Sequence, residues 1–275
     1  MRNTTKITAA VLATGALTLG LTACGGGEGE KAKASDPLVV AATPVPHAEI
    51  LNYIKDNLAA KEDLKLEVKE FTDYVQPNQA TEDGSVTANY FQTQPYLEDF
   101  NKKNGTHLTS VATVHLEPLG LYSEKLKKAD DLKKGATIAL PNDADNESRA
   151  LRFLAANDLI TLKKGSEATA TLQDIAKNPK DLQFKEVEAA QTPRSLQDVD
   201  AAVINGNYAI GADLKPAKDA LFLETTKGND YNNVLAVKEG SEDDPRVKKL
   251  AKLLTSPEVK KFIEDKYAGS VLPSF

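Results

Sequence analysis

The residues best suited to chemistry in this 275-residue chain are polar groups that would grip a small charged molecule. The stretch Asn142-Asp143-Ala144-Asp145-Asn146-Glu147-Ser148-Arg149 follows an apolar run at 137–140 and opens a helical pattern expected over about 146–157. A helix start presents unpaired N–H groups and the positive end of the helix dipole, which suits an anion. Arg149, in the first turns, can hold a carboxylate through two parallel hydrogen bonds, which lysine cannot. From local sequence alone, a surface arginine paired with Asp143, Asp145 or Glu147 is the more ordinary reading. Asn205 and Asn207 follow the apolar run 201–204, and Asn232 and Asn233 precede Val234. Amides offer donor and acceptor together, as a ligand bearing an ammonium and a carboxylate requires.

Aromatic residues are unevenly spread. Of eight Tyr and eight Phe, Tyr74, Tyr90, Phe91, Tyr96 and Phe100 fall close together among polar neighbours. The stretches 73–78 and 89–96 show neither a helical nor a strand period, which favours pocket-lining loops over a plain core face; a core cluster beside turns is the equal alternative. The three histidines, His47, His107 and His115, have no HExxH or HxH spacing and read as surface or hydrogen-bonding residues, with no metal site. No G-x-S-x-G elbow is present. His115 and Glu117 share one face of an extended segment and are the nearest approach to an acid–base pair, a feature an extracytoplasmic hydrolase would need.

The elements that must position these groups alternate. Residues 38–42 read as a buried strand; Ile50, Leu51, Ile54 and Leu58 recur at helical spacing; Leu64, Leu66 and Val68 alternate with charged residues as a half-buried strand. Further strands are expected at about 111–116, 137–140, 199–204, 220–223 and 234–237. This interleaving predicts an α/β fold with largely parallel pairing and ligand-binding loops at strand ends. Asp244-Pro245 and Ser256-Pro257 each place a cap before a first-turn proline, announcing two closing amphipathic helices. Gly269 is the expected stop.

The amino terminus carries an address. Arg2 and Lys6 precede the apolar run 7–21, a pattern expected of a signal peptide over 1–23 and too short to span a bilayer comfortably. Leu21-Thr22-Ala23-Cys24 resembles the bacterial lipobox, which implies cleavage before Cys24 and lipidation of its sulfur. Residues 24–36 then form a lipidated flexible tether, Gly-rich and charged with nothing to bury. As the chain's one cysteine, Cys24 leaves no thiol for a disulfide, a thiolate metal site or a nucleophile. Lys and Arg number 34 against 40 Asp and Glu, a formal net charge of −6. That argues against nucleic acid as a partner and against membrane contact other than through the lipid anchor.

Six ordered blocks resemble the NlpA/MetQ family of methionine-binding lipoproteins: FTDYVQPNQA (71–80), TANYFQTQPYLEDFN (87–101), VHLEPLGLYSEKLK (114–127), ALPNDADNESRAL (139–151), NPKDL (178–182) and EAAQTPRSLQDVDAAVINGNYA (188–209). The resemblance implies a periplasmic-binding-protein-like fold, two α/β lobes joined by a crossover hinge with the ligand cleft between them. One lobe would comprise 37–119 and 232–275, the other 120–231. It further implies a lipid-anchored substrate-binding component of an ABC importer for methionine or a close analogue, on the extracytoplasmic face of the cell membrane, serving a permease and its ATPase. The protein would be no enzyme and carry no cofactor. By resemblance, Arg149 grips the ligand carboxylate, Asn146 belongs to the same element, Asn205 and Asn233 hold the head group, and Tyr74, Phe91 and Tyr96 form the thioether pocket; His115 completes the expected ligand set. Thr93 stands where the family reads histidine, leaving room for a water or a bulkier ligand such as a methionine-containing dipeptide. The other readings are a hydrolase-type enzyme and a surface lipoprotein acting through protein contacts.

Overall fold

The computed structural model describes residues 35–166 and 168–275; Cys24 and the expected signal and tether lie outside them, apart from Ser35 and Asp36. Two sheets organise this part of the chain into two α/β lobes. The first sheet joins β1 (Leu38–Ala42), β2 (Leu66–Glu70), β3 (Ala88–Thr93), β4 (Leu108–Leu116), β12 (Asn232–Lys238) and β13 (Leu272–Pro273) in the order β13-β4-β12-β3-β1-β2. The second joins β5 (Gly120–Tyr122), β6 (Thr137–Pro141), β9 (Gln183–Val187), β10 (Ala201–Ile204) and β11 (Phe222–Leu223) in the order β11-β5-β10-β6-β9. A small antiparallel pair, β7 (Thr161–Leu162) with β8 (Ile175–Lys177), stands apart.

Pairing is mixed rather than largely parallel. β1 pairs in parallel with β2 and β3, and β6 with β9 and β10, as strands linked through helices do. β12 instead returns from the other lobe and runs antiparallel between β3 and β4. The chain passes from the first lobe to the second between Leu116 and Gly120, and back between Leu223 and Asn232. The strands beside these passages pair antiparallel, β5 with β10 and β11, and β12 with β3 and β4, which local hydrophobic periodicity does not report.

Each lobe has its own core. In the first, α1 (Glu49–Asn57) buries Ile50, Leu51 and Ile54 against α8 (Pro245–Leu254) and α9 (Pro257–Tyr267), which contribute Leu250, Leu254, Val259 and Ile263. α2 (Gln76–Glu82) packs on β3, and α3 (Gln94–Asn104) sets Leu97 against Val234 and Ala236 of β12. In the second lobe, α4 (Ala144–Ala156) buries Leu151 and Leu154 against Ile138, Leu140 and Val203. Three short helices, α5 (Thr192–Ser195), α6 (Gly206–Gly211) and α7 (Pro216–Asp219), flank β10 or follow it. Among the described residues no helix is long and apolar enough to cross a membrane.

The closing helices start as their caps require: Asp244 accepts from the Arg246 backbone N–H at 2.8 Å, and Ser256 from that of Val259. The second helix ends at Tyr267, and its left-handed cap is Ala268, at φ 46°, one residue before the expected Gly269. The stretch 89–96 is strand followed at once by helix, not loop, because β3 is buried on both faces and so shows no alternation. Asp244 also pairs with Arg246, whose Nη1 donates to the Pro37 carbonyl and ties α8 to the start of β1. Asp244→Ala therefore removes a cap and strands a buried arginine, and is expected to cost about 2 kcal/mol in urea unfolding.

Candidate functional site

A narrow cavity lies between the lobes, walled by residues of both. Tyr74, Phe91, Thr93, Tyr96 and Asn233 line it from the first lobe, and Asn146, Arg149 and Asn205 from the second. His47, Gln92, Glu117, Gly206 and Asn207 complete the wall. Of the ligand set implied by the resemblance, His115 alone is not on the wall, being fully buried one layer behind; Asn232, Tyr90 and Phe100 are likewise off it. The His115 imidazole is drawn inward by Tyr90 and Glu117 rather than turned to the cavity.

Arg149 is buried, and its partner is neither Asp143, Asp145 nor Glu147 but Glu224, from the return passage. Nε donates to Glu224 Oε1 at 3.0 Å and Nη2 to Oε2 at 2.6 Å, while Nη2 also reaches the Glu117 carbonyl at 3.0 Å. The Tyr231 ring lies 4.1 Å beneath the guanidinium carbon. Burial works against the charge, but the Glu224 carboxylate more than offsets it, holding the arginine above its ordinary value and Glu224 below its own. The pair is ionised, and among the described residues Nη1 has no hydrogen-bond partner. Arg149 is thus fixed on one edge by protein, and its side chain lines the cavity.

The amides are oriented just as firmly. Asp143 caps α4 by accepting from the Asn146 backbone at 3.0 Å and holds the Asn146 side chain at 2.9 Å. Asn146 Oδ1 in turn accepts from Asn205 Nδ2 at 2.7 Å. Asn205 Oδ1 is left buried with no donor among the described residues. On the facing wall, Asn233 Oδ1 lies 2.9 Å from His47 Nε2, and His47 Nδ1 2.7 Å from Thr43 Oγ1. The amide carbonyl only accepts, so Nε2 carries the hydrogen, Thr43 donates to Nδ1, and Asn233 keeps its Nδ2 donor for a ligand.

Glu117 comes from the outward passage. Its carboxylate accepts from His115 Nε2 at 2.8 Å and lies 3.4 Å from His47 Nε2. Burial raises its pKa, opposed by His47, by Arg149 and by the Asn207 backbone N–H. Gly206 makes this approach possible, since a Cβ there would stand 2.7 Å from Glu117 Cβ. Glu117 and Arg149 therefore line one cavity, an acidic and a basic group of the kind a zwitterion pairs with.

The aromatic wall is set by a buried amide network. Gln92 and Asn78 exchange hydrogen bonds at 2.7 and 2.8 Å, and Asn89 donates to Thr81 at 2.7 Å, locking α2 onto β3. Tyr96 donates to the Tyr74 carbonyl at 3.0 Å, and the Tyr74 and Phe91 ring centroids lie 5.9 Å apart. Tyr74 also donates to Asn207 Oδ1 at 2.6 Å, and Tyr208 to the Thr72 carbonyl at 3.2 Å, so the lobes touch across the cavity mouth. Thr93 caps α3 weakly, 3.4 Å from the Tyr96 N–H.

Sequence reasoning missed Glu224 altogether and gave His47 and Glu117 no ligand role. Glu224 lies 75 residues from Arg149 in sequence, with nothing local to link them. His47, His115 and Glu117 bring three metal-ligating atoms within 4.8 Å of one another. Both imidazole Nε2 atoms already donate, to Asn233 and Glu117, so an ion would have to displace those bonds.

Over residues 38–275 the sequence matches the family described as NlpA lipoprotein. It is 45% identical over 257 residues to the methionine-binding lipoprotein MetQ of Bacillus subtilis, covering 92% of this chain and 93% of that protein. Membrane lipoprotein TpN32 of Treponema pallidum is 41% identical over 224 residues, covering 82% and 83%. A nutrient binding protein from Burkholderia cenocepacia, solved bound to methionine, is similar with a TM-score of 0.84 at 45% identity, covering 86% of this chain and 100% of that one. The two-lobed architecture is periplasmic-binding-protein-like, as in these structures.

Burial lowers His47 from 6.5 to about 4, against the pull of Glu117, and lowers His115 to about 3. Both folded values lie below the unfolded one, so the stability these neutral imidazoles contribute is present above pH 6.5 and is lost as pH falls towards the folded values. Imidazole nitrogen shifts of His47 and His115 should keep the neutral pattern from about pH 8 to about pH 5. A midpoint near the ordinary value for either would contradict the burial described.

Proposed function

The chain belongs to the NlpA lipoprotein family, and from that premise we propose that it captures methionine or a close analogue for an ABC importer. Its relatives are substrate-binding lipoproteins rather than enzymes. The observation that carries the ligand reading is the pairing, in one cavity, of a half-engaged buried arginine with a buried carboxylate and an orphaned amide oxygen. In this reading the ligand carboxylate takes Arg149 Nη1 and Asn233 Nδ2. The ammonium takes Glu117 and Asn205 Oδ1. The thioether lies against Tyr74, Phe91 and Tyr96, at about 0.3 to 1.5 kcal/mol per sulfur–ring contact. The relatives' printed names and the methionine-bound relative support this choice. Thr93, on the wall, widens the candidates to D-methionine and a methionine-containing dipeptide.

Delivery follows from closure. Only the closed arrangement contacts a ligand from both lobes, so binding shifts the population towards it and presents a new surface to the permease and its ATPase. We assign 1–23 to a signal peptide, Cys24 to the lipid anchor on the extracytoplasmic face, and 24–36 to the tether. One lobe is drawn from 37–119 and 232–275, the other from 120–231. Anchoring raises the effective concentration of the loaded cleft at its membrane partner. Cys24→Ser should move the protein out of the membrane fraction.

At a ligand concentration one hundred times Kd, linkage predicts about 2.7 kcal/mol of added stability. L-methionine, D-methionine and a methionyl dipeptide should be ranked by the upward shift each produces in Tm. Arg149→Ala should abolish the shift. Wild-type protein unmoved by all three would contradict the proposal.

A further inference from the structure

Behind the cavity wall lies a second layer that does not line the cavity. His115 is fully buried and off the wall, and its two nitrogens face Tyr90 and Glu117. The direction of these bonds follows from the charge on Glu117: ionised, as it must be to meet an ammonium, it can only accept, so His115 Nε2 carries the hydrogen and Nδ1 is bare. Nδ1 then accepts from the Tyr90 hydroxyl, whose proton is kept by burial. Tyr90 thus donates to His115, and His115 to Glu117. The parallel chain runs from Thr43 through His47 to Asn233. The two imidazoles lie 5.0 Å apart, and the His47 and Tyr90 rings meet edge to face at 4.8 Å. One chain ends at the Glu117 carboxyl group, the other at an amide whose oxygen is taken by His47 and whose Nδ2 is left to donate.

We propose that His115, held by Tyr90, is a positioning residue that aims Glu117 at the ligand's α-nitrogen and makes the site selective for a free ammonium. This rests on the reading of the cavity as an amino-acid site. A carboxylate on a flexible side chain would otherwise be free to turn towards Arg149, whose Nη2 already reaches the Glu117 backbone carbonyl. The His115 bond, the Asn207 backbone N–H and the close face of Gly206 hold it in place instead. A ligand lacking the ammonium, or carrying an acyl group on that nitrogen, leaves Glu117 desolvated without its full complement of donors. Such a ligand binds more weakly than its free-amine counterpart. The second layer therefore sets the chemical class: free α-amino acids, or peptides presenting their own α-amine, and not N-acylated or deaminated analogues.

The test compares L-methionine with 4-(methylthio)butanoate, the same molecule without its ammonium, by isothermal titration against wild type, His115→Leu, His115→Gln and Tyr90→Phe. His115→Leu should weaken methionine by roughly tenfold or more, the worth of one charge-assisted hydrogen bond, while moving the analogue by less than about twofold. His115→Gln, whose amide still donates to Glu117, should recover most of the loss. Equal loss for both ligands, or an undiminished methionine affinity, would overturn the inference and leave the amino-acid reading standing. A wild type that binds no methionine would overturn that reading and the inference with it. If His115→Leu fails to melt cooperatively, Tyr90→Phe decides. A loss confined to methionine supports the positioning role, and a loss shared by the analogue, or none, refutes it.

Discussion

A buried guanidinium must be neutralised or it unfolds its surroundings, and Arg149 is 4% exposed. Removing one partner of such a pair costs about 3–5 kcal/mol, because the remaining charge stays desolvated. Glu224 meets this requirement at two points, and the consequences reach further than the pair. Glu224 lies on the return passage between lobes, and its backbone N–H donates to the Leu119 carbonyl of the outward passage at 2.8 Å. Leu119 donates back to the Glu224 carboxylate at 3.2 Å. Both inter-lobe passages and the first turns of α4 are thereby fastened at one arginine. The hinge and the binding site are the same few residues.

That arrangement explains how a cleft between two separately cored lobes can sense what fills it. Each lobe packs its own sheet and helices. The contacts across the cavity are polar and apolar: Tyr74 to Asn207, Tyr208 to the Thr72 carbonyl, the Tyr74 and Tyr208 rings 4.9 Å apart, and Ile210 of α6 on the first lobe's core. In the proposed function a ligand that bridges the lobes adds to these contacts and favours the closed form. Under the proposed reading, a zwitterion engages Arg149 and Glu117 in the passages and their flanks, and its side chain reaches the aromatic wall of the first lobe. Closing is then coupled to recognising both ends of the molecule.

Much of this was legible before folding. A helix start after an apolar strand makes Arg149 a candidate, but a surface ion pair is the more ordinary local reading and the resemblance carries the ligand role; α4 begins at Ala144, capped by Asp143, two residues before the expected start. Asn205 and Asn233 stood at strand ends, and both reach the cavity. What was not legible is pairing over distance. Neither the Arg149–Glu224 bond nor the meeting of His47 with Glu117 has a local signature, because both depend on which strand returns to which sheet. The antiparallel insertion of β12 was hidden for the same reason. β3 was misread as loop because a strand buried on both faces loses its alternation. The family resemblance, carried by six blocks, supplied the two-lobed plan that periodicity alone leaves open.

In the proposed function Arg149, already held by Glu224, gives its remaining edge to a ligand carboxylate while Glu117 takes the ammonium. A crystal structure of the protein grown with L-methionine is the decisive measurement. The carboxylate is expected within hydrogen-bond distance of Arg149 Nη1, the nitrogen within reach of Glu117 and Asn205, and the Arg149–Glu224 pair intact. Methionine bound elsewhere, reversed end for end, or displacing Glu224 from the arginine would contradict this reading.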